Sequence, residues 1–406
     1  MQNSHKNILF IVNMDERNKT GLFNATHQRI KSLVPYLNEY EVYCLKYYDG
    51  AFMSLVKKLF NKRIKKKKEE YFVYEGIRYE NKYIKNTVFR KIALKFGVDF
   101  PTFINLIISS RKKIKKFDLI SAHWCYPQGG VAYYFNKVFK TPYTVTLHGS
   151  DIHTLPRNSK KIRRKTLKIL NNSSNNFFVS SGLRDSAYNI GYNKDNYLVL
   201  PNGVDISNFY PIEVNKNKKL KEQLSLSGKV VGFVGNLVEV KRADRLPYIF
   251  NEIKKAYHEE VSFLIIGDGK LSAEIKKISE EFQLNIYFTG KINPDEVNKY
   301  INLMDIMLLP SRNEGWGNVI LEAHACGIKV IGSNQGGIPE AIGDQNYIVS
   351  DGERFEENFV RKVVEVIQEN QDMDYLMDRV KNQFSVDIIA SKELNKYNQI
   401  LVKHNT

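Results

Sequence analysis

Two glutamates with seven residues between them, Glu314 and Glu322, stand in the stretch LLPSRNEGWGNVILEAHACG, residues 308–327. A short apolar run ends at Pro310, and a loop then carries Glu314, Gly315, Trp316 and Gly317. The pattern that follows predicts a short helix over 319–326, with Asn318 as its N-cap and Gly327 just past its end. Glycines at 315 and 317 let backbone approach a ligand closely. The helix N-terminus offers free N–H groups and partial positive charge to a phosphate or a hydroxyl. Glu322, one turn into the helix, can accept two hydrogen bonds from a vicinal diol such as a ribose. Glu314, on the loop, can face the other end of the same ligand.

Such a turn needs a frame. In the second half, apolar runs at 230–235, 263–267, 286–289, 306–310, 329–332 and 347–350 read as strands. Helical stretches fall between them at 244–257, 271–282, 294–303, 319–326 and 355–370. Strand and helix alternating at this spacing predict a doubly wound parallel α/β sheet, which binds ligands beyond the C-terminal ends of its strands. The first half repeats the scheme, with strands expected at 8–12, 40–45, 117–123, 143–148, 176–180 and 197–200 and a helix over 22–37. Asn-Gly and two prolines in LPNGVDISNFYP, near 201–211, mark the break between the halves. The expected organisation is a first domain over 1–205, a second over 206–385, and a terminal helical segment over 386–406.

The motif E-G-x-G-N-V-x-L-E-A-x-A-C-G resembles the signature of the retaining GT-B glycosyltransferases of family 4. VGFVGNLVEVK (231–241), LIIGDGKL (264–271), FTGKI (288–292), LLPS (308–311), GGIPE (336–340), TLHGSD (146–151) and LPNGVD (200–205) stand around it, so the resemblance covers most of the chain. It implies two Rossmann-like domains facing across a cleft, with the terminal helix crossing back to the first. Glu314 would contact the donor sugar and Glu322 hold the ribose, while the backbone of Gly315, Trp316, Gly317, Asn318 and Val319 lies along sugar and phosphates.

Breaking a bond to a nucleoside diphosphate requires charge stabilisation on the departing oxygens. Lys241 matches the family's diphosphate lysine. Asn236 stands where many members have arginine; Arg242 could substitute, although a solvated arginine is the plainer reading. Gly21, in the loop after the first strand, would face the diphosphate from the first domain. His148 matches the histidine that contacts the donor sugar. His123 and Asp151 are placed on the acceptor side, and Asp151 reads equally as a turn cap. Gln128 replaces an aspartate and His324 a methionine common among relatives. No metal set is evident, since Asp372-Met373-Asp374 lies in an acidic, helix-like stretch. No cofactor is expected beyond the nucleotide-sugar substrate.

Charge divides the chain: residues 1–200 carry a net charge of about +22 and residues 201–406 about −5. Residues 51–68, AFMSLVKKLFNKRIKKKK, place apolar side chains at 52, 55, 56, 59, 60 and 64 on one helical face with lysines opposite. A basic amphipathic helix suits an anionic membrane surface; a solvated charged face is the alternative. Three scattered cysteines, Cys44, Cys125 and Cys326, suggest neither a disulfide framework nor a zinc site, and no run of about 18 apolar residues spans a bilayer. The expectation is a cytoplasmic, metal-independent enzyme, peripheral on the inner face of the plasma membrane. It would transfer a UDP-linked hexose to a glycan or polyprenyl-linked acceptor of a cell-surface polysaccharide. An epimerase on the same fold is one alternative, and a basic nucleic-acid-binding protein is another. The latter lacks aromatic-interleaved basic motifs, and no G-x-G-x-x-G follows a strand to favour a redox enzyme.

Overall fold

The computed structural model describes residues 6–15, 21–95, 98–369 and 373–405. It contains two compact units, one running to Pro201 and resuming at Ala390, the other spanning Asn202–Ile389.

The first unit is built on an eight-stranded sheet: β1 (Asn7–Val12), β2 (Glu39–Asp49), β3 (Tyr71–Tyr74), β4 (Ile77–Asn86), β5 (Leu119–His123), β6 (Tyr143–Leu147), β7 (Asn175–Phe178) and β8 (Tyr197–Val199). Their spatial order is β3-β4-β2-β1-β5-β6-β7-β8, and only β3 runs antiparallel to its neighbour. The central β1 is a continuous apolar run because both of its faces are covered, and residues Ile8 to Val12 are fully buried. The β3–β4 hairpin was not expected. Its signal is local: Glu75 and Gly76 take φ +44° and +77° in a two-residue turn between alternating segments.

The helix expected over 22–37 is Gly21–Leu33, tightened into a 3₁₀ turn at Val34–Tyr36 because Pro35 has no N–H to continue the ladder. The single helical face expected over 51–68 is also corrected. The helix is Ala51–Leu59, and Asn61 at φ +50° ends it. The lysine run beyond is extended and tied back to the sheet, Lys65 N donating to Asp49 Oδ2 (2.7 Å) and Lys68 N to the Tyr83 hydroxyl (2.9 Å).

The second unit has a six-stranded parallel sheet: β9 (Lys229–Val234), β10 (Val261–Ile266), β11 (Ile286–Gly290), β12 (Ile306–Leu309), β13 (Lys329–Ser333) and β14 (Ile348–Val349), in the order β11-β10-β9-β12-β13-β14. Alternate residues Val231, Phe233, Phe263, Ile265, Ile306 and Leu308 bury one sheet face under the helices Leu246–Ala256 and Phe355–Ile367. Phe250 stacks on Phe263 there with ring centroids 4.4 Å apart. On the opposite face Gly232 is required, since a Cβ would lie 2.2 Å from the Met304 sulfur. This is the doubly wound α/β class in both units.

The terminal helix, Val386–Asn405, enters the first unit from Ala390 onward. It buries Ala390, Leu394, Tyr397 and Ile400 at helical spacing, with the charged Glu393 fully buried among them.

Candidate active site

In the second sheet the chain runs outward from β9 to β11 on one side and from β12 to β14 on the other. The switch point lies between β9 and β12, where a doubly wound sheet opens its ligand crevice. Lys241 follows β9, and Glu314 and Glu322 follow β12, so the sheet topology alone brings them to that point.

Past β12, the fully buried Ser311 donates from Oγ to Glu314 Oε1 at 2.8 Å, and the Lys241 ammonium pairs with the same oxygen. The loop after β13 backs this arrangement. Gly337 N donates to the Glu314 carbonyl at 3.1 Å, and a Cβ on Gly336, at φ +60°, would sit 2.1 Å from that oxygen. The glycines of GGIPE are therefore a clasp on the Glu314 backbone.

The helix carrying Glu322 is Asn318–Ala325, and its N-cap is Gly317 at φ +89°, not Asn318. The physical reason is in the side chain: Asn318 Oδ1 accepts from Asn202 Nδ2 at 3.2 Å and makes no cap bond. The helix start thus stays uncapped by side chains and open to a ligand. At the other end Gly327 takes φ +77°. Gly327 N donates to the His324 carbonyl (3.0 Å) and Ile328 N to the Ala323 carbonyl (2.9 Å), closing a Schellman motif.

Trp316 turns inward, 4% exposed and 5.7 Å from the Phe384 ring, while Gly315 and Val319 remain half-buried. No group among the described residues donates to the Glu322 carboxylate, and burial raises its pKa to about 7.

Arg242 is not a solvated arginine. It is 6% exposed, held in left-handed backbone at φ +50°, 4.1 Å over the Phe355 ring. Its guanidinium donates to the Pro310 carbonyl (3.3 Å) and pairs with Asp351. Asn236 is exposed just past β9. The turn carrying it is locked from behind, because a Cβ on Gly267 would lie 2.0 Å from the Gly235 carbonyl oxygen.

In the first unit, His123 ends β5 and His148 follows β6, the neighbouring strand. Their rings stack at 5.6 Å between centroids, with His123 Nδ1 and His148 Nε2 3.4 Å apart. Burial holds the His148 pKa down to about 3 and that of His123 well below its ordinary value, so both imidazoles are neutral at physiological pH.

Asp151 fastens the two strand ends. Its Oδ1 accepts from Gly149 N (2.9 Å) and His148 N (3.2 Å), and its Oδ2 from Cys125 N (3.1 Å). Burial raises its pKa to about 6, against those three N–H donors. Between the histidines' loops, Trp124 adopts φ +91°, costly for a bulky residue. Gly21 opens its helix with nothing within 4 Å of a Cβ placed there, and residues 16–20 of its loop lie outside the described residues.

Sequence reasoning missed the supporting parts: Ser311 beneath Glu314, the Gly336–Gly337 clasp, and the strained Trp124. LLPS and GGIPE were visible as motifs, but a side-chain bond from Ser311 to Glu314 leaves no pattern of its own, and the Gly337 contact spans 23 residues. Among the described residues no group of three or more His, Cys, Asp or Glu is placed to hold a metal ion, and Asp372 of the D-x-D run lies outside them.

Comparison with known proteins bears on this geometry. The family described as Glycosyl transferases group 1 matches residues 214–383, and Glycosyltransferase Family 4 matches residues 70–208. The putative teichuronic acid biosynthesis glycosyltransferase TuaC of Bacillus subtilis is 25% identical across 94% of both chains. An uncharacterised glycosyltransferase of Methanocaldococcus jannaschii is 30% identical over 68% of this chain and 72% of its own. Among solved structures, Anabaena Alr3699/HepE in complex with UDP and glucose superposes with a TM-score of 0.72 at 19% identity, covering 97% of this chain and 100% of that one. The chain belongs to the family 4 glycosyltransferases, and it is a glycosyltransferase of the GT-B fold.

Proposed function

We propose that the chain transfers a hexose from a UDP-linked donor, with retention of configuration, to a lipid-linked or growing cell-surface glycan. The observation that carries this reading is the Glu314–Glu322 turn: a clasped, ion-paired carboxylate at one end, an unpartnered, half-buried carboxylate at the other, and an uncapped helix start between them. Glu322 takes the ribose diol, and the N–H groups from Gly317 onward and Lys241 take the diphosphate. Glu314, held by Ser311, meets the sugar. Asn236 and Gly21 line the diphosphate, and Arg242 acts by bracing this loop. His148 contacts the sugar as a neutral imidazole, while His123 and Asp151 shape the acceptor side. The second unit is then the donor side and the first the acceptor side. The departing diphosphate takes the proton of the attacking hydroxyl on the same face, so no strong general base is needed. UDP is favoured because the Anabaena structure holds UDP and glucose, and a surface-glycan acceptor because TuaC is named for teichuronic acid biosynthesis.

A peripheral position on an anionic membrane fits the first unit. Phe52, Leu55, Leu59 and Phe60 point outward from one short helix, each more than half exposed, beside the lysine run at 65–68. Apolar side chains entering the interface next to cations that meet anionic headgroups is the arrangement of a monotopic anchor. No helix among the described residues is long and apolar enough to cross a membrane. Nucleic acid is not expected as a partner.

A thermal-shift panel of UDP, GDP, ADP and their glucose and N-acetylglucosamine conjugates tests the donor. A ligand at about 100 times its Kd should stabilise the fold by about 2.7 kcal/mol, and Glu322→Ala should cut that shift to about half or less. Stabilisation by none of them, or an unchanged shift in Glu322→Ala, would contradict the reading.

A further inference from the structure

One face of the first sheet carries buried polar side chains among its apolar ones. Strand register places Ser121, Thr144 and Asn175 in one row and His123, Thr146 and Phe177 in the next, so the layer runs under the histidine pair. Two elements cover it. Arg29, 3% exposed on the helix Gly21–Leu33, stands 5.4 Å over the Phe177 ring, and Tyr397 of the terminal helix meets the same ring edge-on at 6.0 Å.

Between them lies a buried hydrogen-bonded network, in which Arg29 Nη2 alone of the guanidinium nitrogens has no partner among the described residues. Arg29 Nε donates to Glu393 Oε2 at 2.6 Å, and the Tyr397 hydroxyl donates to Glu393 Oε1 at 2.5 Å and lies 3.0 Å from Ser121 Oγ. Arg29 Nη1 also reaches the Leu200 carbonyl at 3.4 Å. Glu393 and Tyr397 are fully buried. A buried ion pair is poor evidence for stability, because an apolar pair of similar volume serves as well or better. Its presence on the strands that lead to the stacked histidine pair calls for another role.

The pair itself supplies one. His123 Nδ1 and His148 Nε2 share a single hydrogen bond, so one ring must donate and the other accept. The tautomers are therefore coupled. If His148 donates through Nε2, its Nδ1 is a bare acceptor and His123 carries its proton on Nε2; if His123 donates, both assignments reverse. Neither outer nitrogen, His148 Nδ1 or His123 Nε2, has a protein partner among the described residues. What His148 can offer a ligand thus depends on a choice that the two rings cannot make between themselves.

We propose that Arg29, Glu393 and Tyr397 are positioning residues for the His123–His148 pair. Through them the terminal helix selects one tautomer and one ring orientation. Glu393 fixes the guanidinium over Phe177, which lies in the same register row as Thr146 and His123, and Tyr397 with Ser121 fixes the strand that ends in His123. The effect on turnover rests on His148 contacting the donor sugar, as proposed above; the tautomer choice does not.

The test uses the full chain with two readouts: 15N–1H imidazole spectra of His123 and His148, and release of UDP from UDP-glucose. Wild type should show one tautomer for each ring. Arg29→Met combined with Glu393→Met keeps volume and removes both charges. It should give mixed or inverted tautomers and lower kcat by about tenfold or more, since small misplacements of reacting groups carry such costs, with KM nearly unchanged. In a His148→Ala background the same double change should have no further effect on kcat. Glu393→Gln with Arg29 intact should be worse than the apolar pair, because it strands a buried charge.

Wild-type tautomers retained in the double variant would overturn the proposal, whatever happens to turnover. Altered tautomers with full turnover, in this variant and in His148→Ala alike, would keep the positioning and retire the sugar contact. If the double variant does not fold, Tyr397→Phe, which removes one hydroxyl, decides by the same spectra.

Discussion

In the second unit the groups proposed to meet the ligand are charged or ready to be: Lys241 ion-paired to Glu314, and Glu322 with its pKa raised to about 7. In the first unit they are neutral: two buried imidazoles whose charged forms burial suppresses. A diphosphate and a ribose diol need fixed charge and acceptors. A sugar hydroxyl near a carbon that becomes cationic needs a partner that can donate or accept without adding positive charge. The comparison teaches that the two strand-end loops, built on the same doubly wound plan, are specialised by burial and pairing rather than by fold.

The largest expected break in that contrast comes at Glu314. Glu314→Ala should lower turnover by about 100–1,000-fold, the usual size of losing a group that acts on developing charge, while UDP affinity by calorimetry stays near wild type. A parallel loss of affinity would make Glu314 a binding group and erase the distinction drawn along the turn.

Glu322→Ala should do the reverse. Losing charge-assisted hydrogen bonds of about 1.5–3 kcal/mol weakens UDP binding by about 10–150-fold, with a smaller effect on the rate at saturation. Equal sensitivity of kcat would place Glu322 at the sugar instead.

The third prediction uses pH. Ribose donors favour the ionised carboxylate, so binding lowers the pKa of Glu322 from about 7 and releases a proton where the free carboxyl is protonated. UDP affinity should therefore rise with pH up to about 7 and level off above it, and Glu322→Gln should flatten the slope. The sign for stability is opposite. A carboxyl whose folded pKa is raised from 4.5 to about 7 makes the ligand-free fold less stable as pH climbs through that window. The histidine pair, neutral in the folded chain throughout that window, adds no slope to UDP affinity, although its lowered pKa values make the fold more stable as pH rises toward the ordinary histidine value of 6.5. A pH dependence that follows His148 substitution rather than Glu322 substitution would invert the comparison.

The smallest effect is expected at the periphery. Phe52→Ser with Leu59→Ser should weaken partitioning onto vesicles of anionic phospholipid several-fold, because both side chains are only shallowly placed to enter the interface, and leave UDP affinity alone. Deleting residues 57–68 should weaken it further. Binding that ignores both changes and salt would detach the membrane from this helix.

Much of this was legible in the chain. Apolar runs punctuated by glycine gave the strands, and the motif around Glu314 carried the loop and the helix, because both depend on short-range pattern. The N-cap was misread at Asn318 because its side chain is claimed by Asn202, a partner more than a hundred residues away. The 51–68 segment failed as one helix because Asp49 and Tyr83 capture its lysine backbone. Arg242 read as a surface residue because nothing local announces Phe355 and Asp351. Arg29 and Glu393 sit 364 residues apart, so their pairing exists only once the terminal helix has docked. Local geometry and motif survive in sequence, whereas the partners that silence or tune a side chain come from afar.

The most direct test is a crystal structure of the protein with UDP-glucose bound. The account predicts ribose hydroxyls within hydrogen-bond distance of Glu322, the diphosphate at the start of the helix Asn318–Ala325, and glucose reaching Glu314. Nucleotide density elsewhere, or a Glu314 turn that makes no contact with it, would contradict the account.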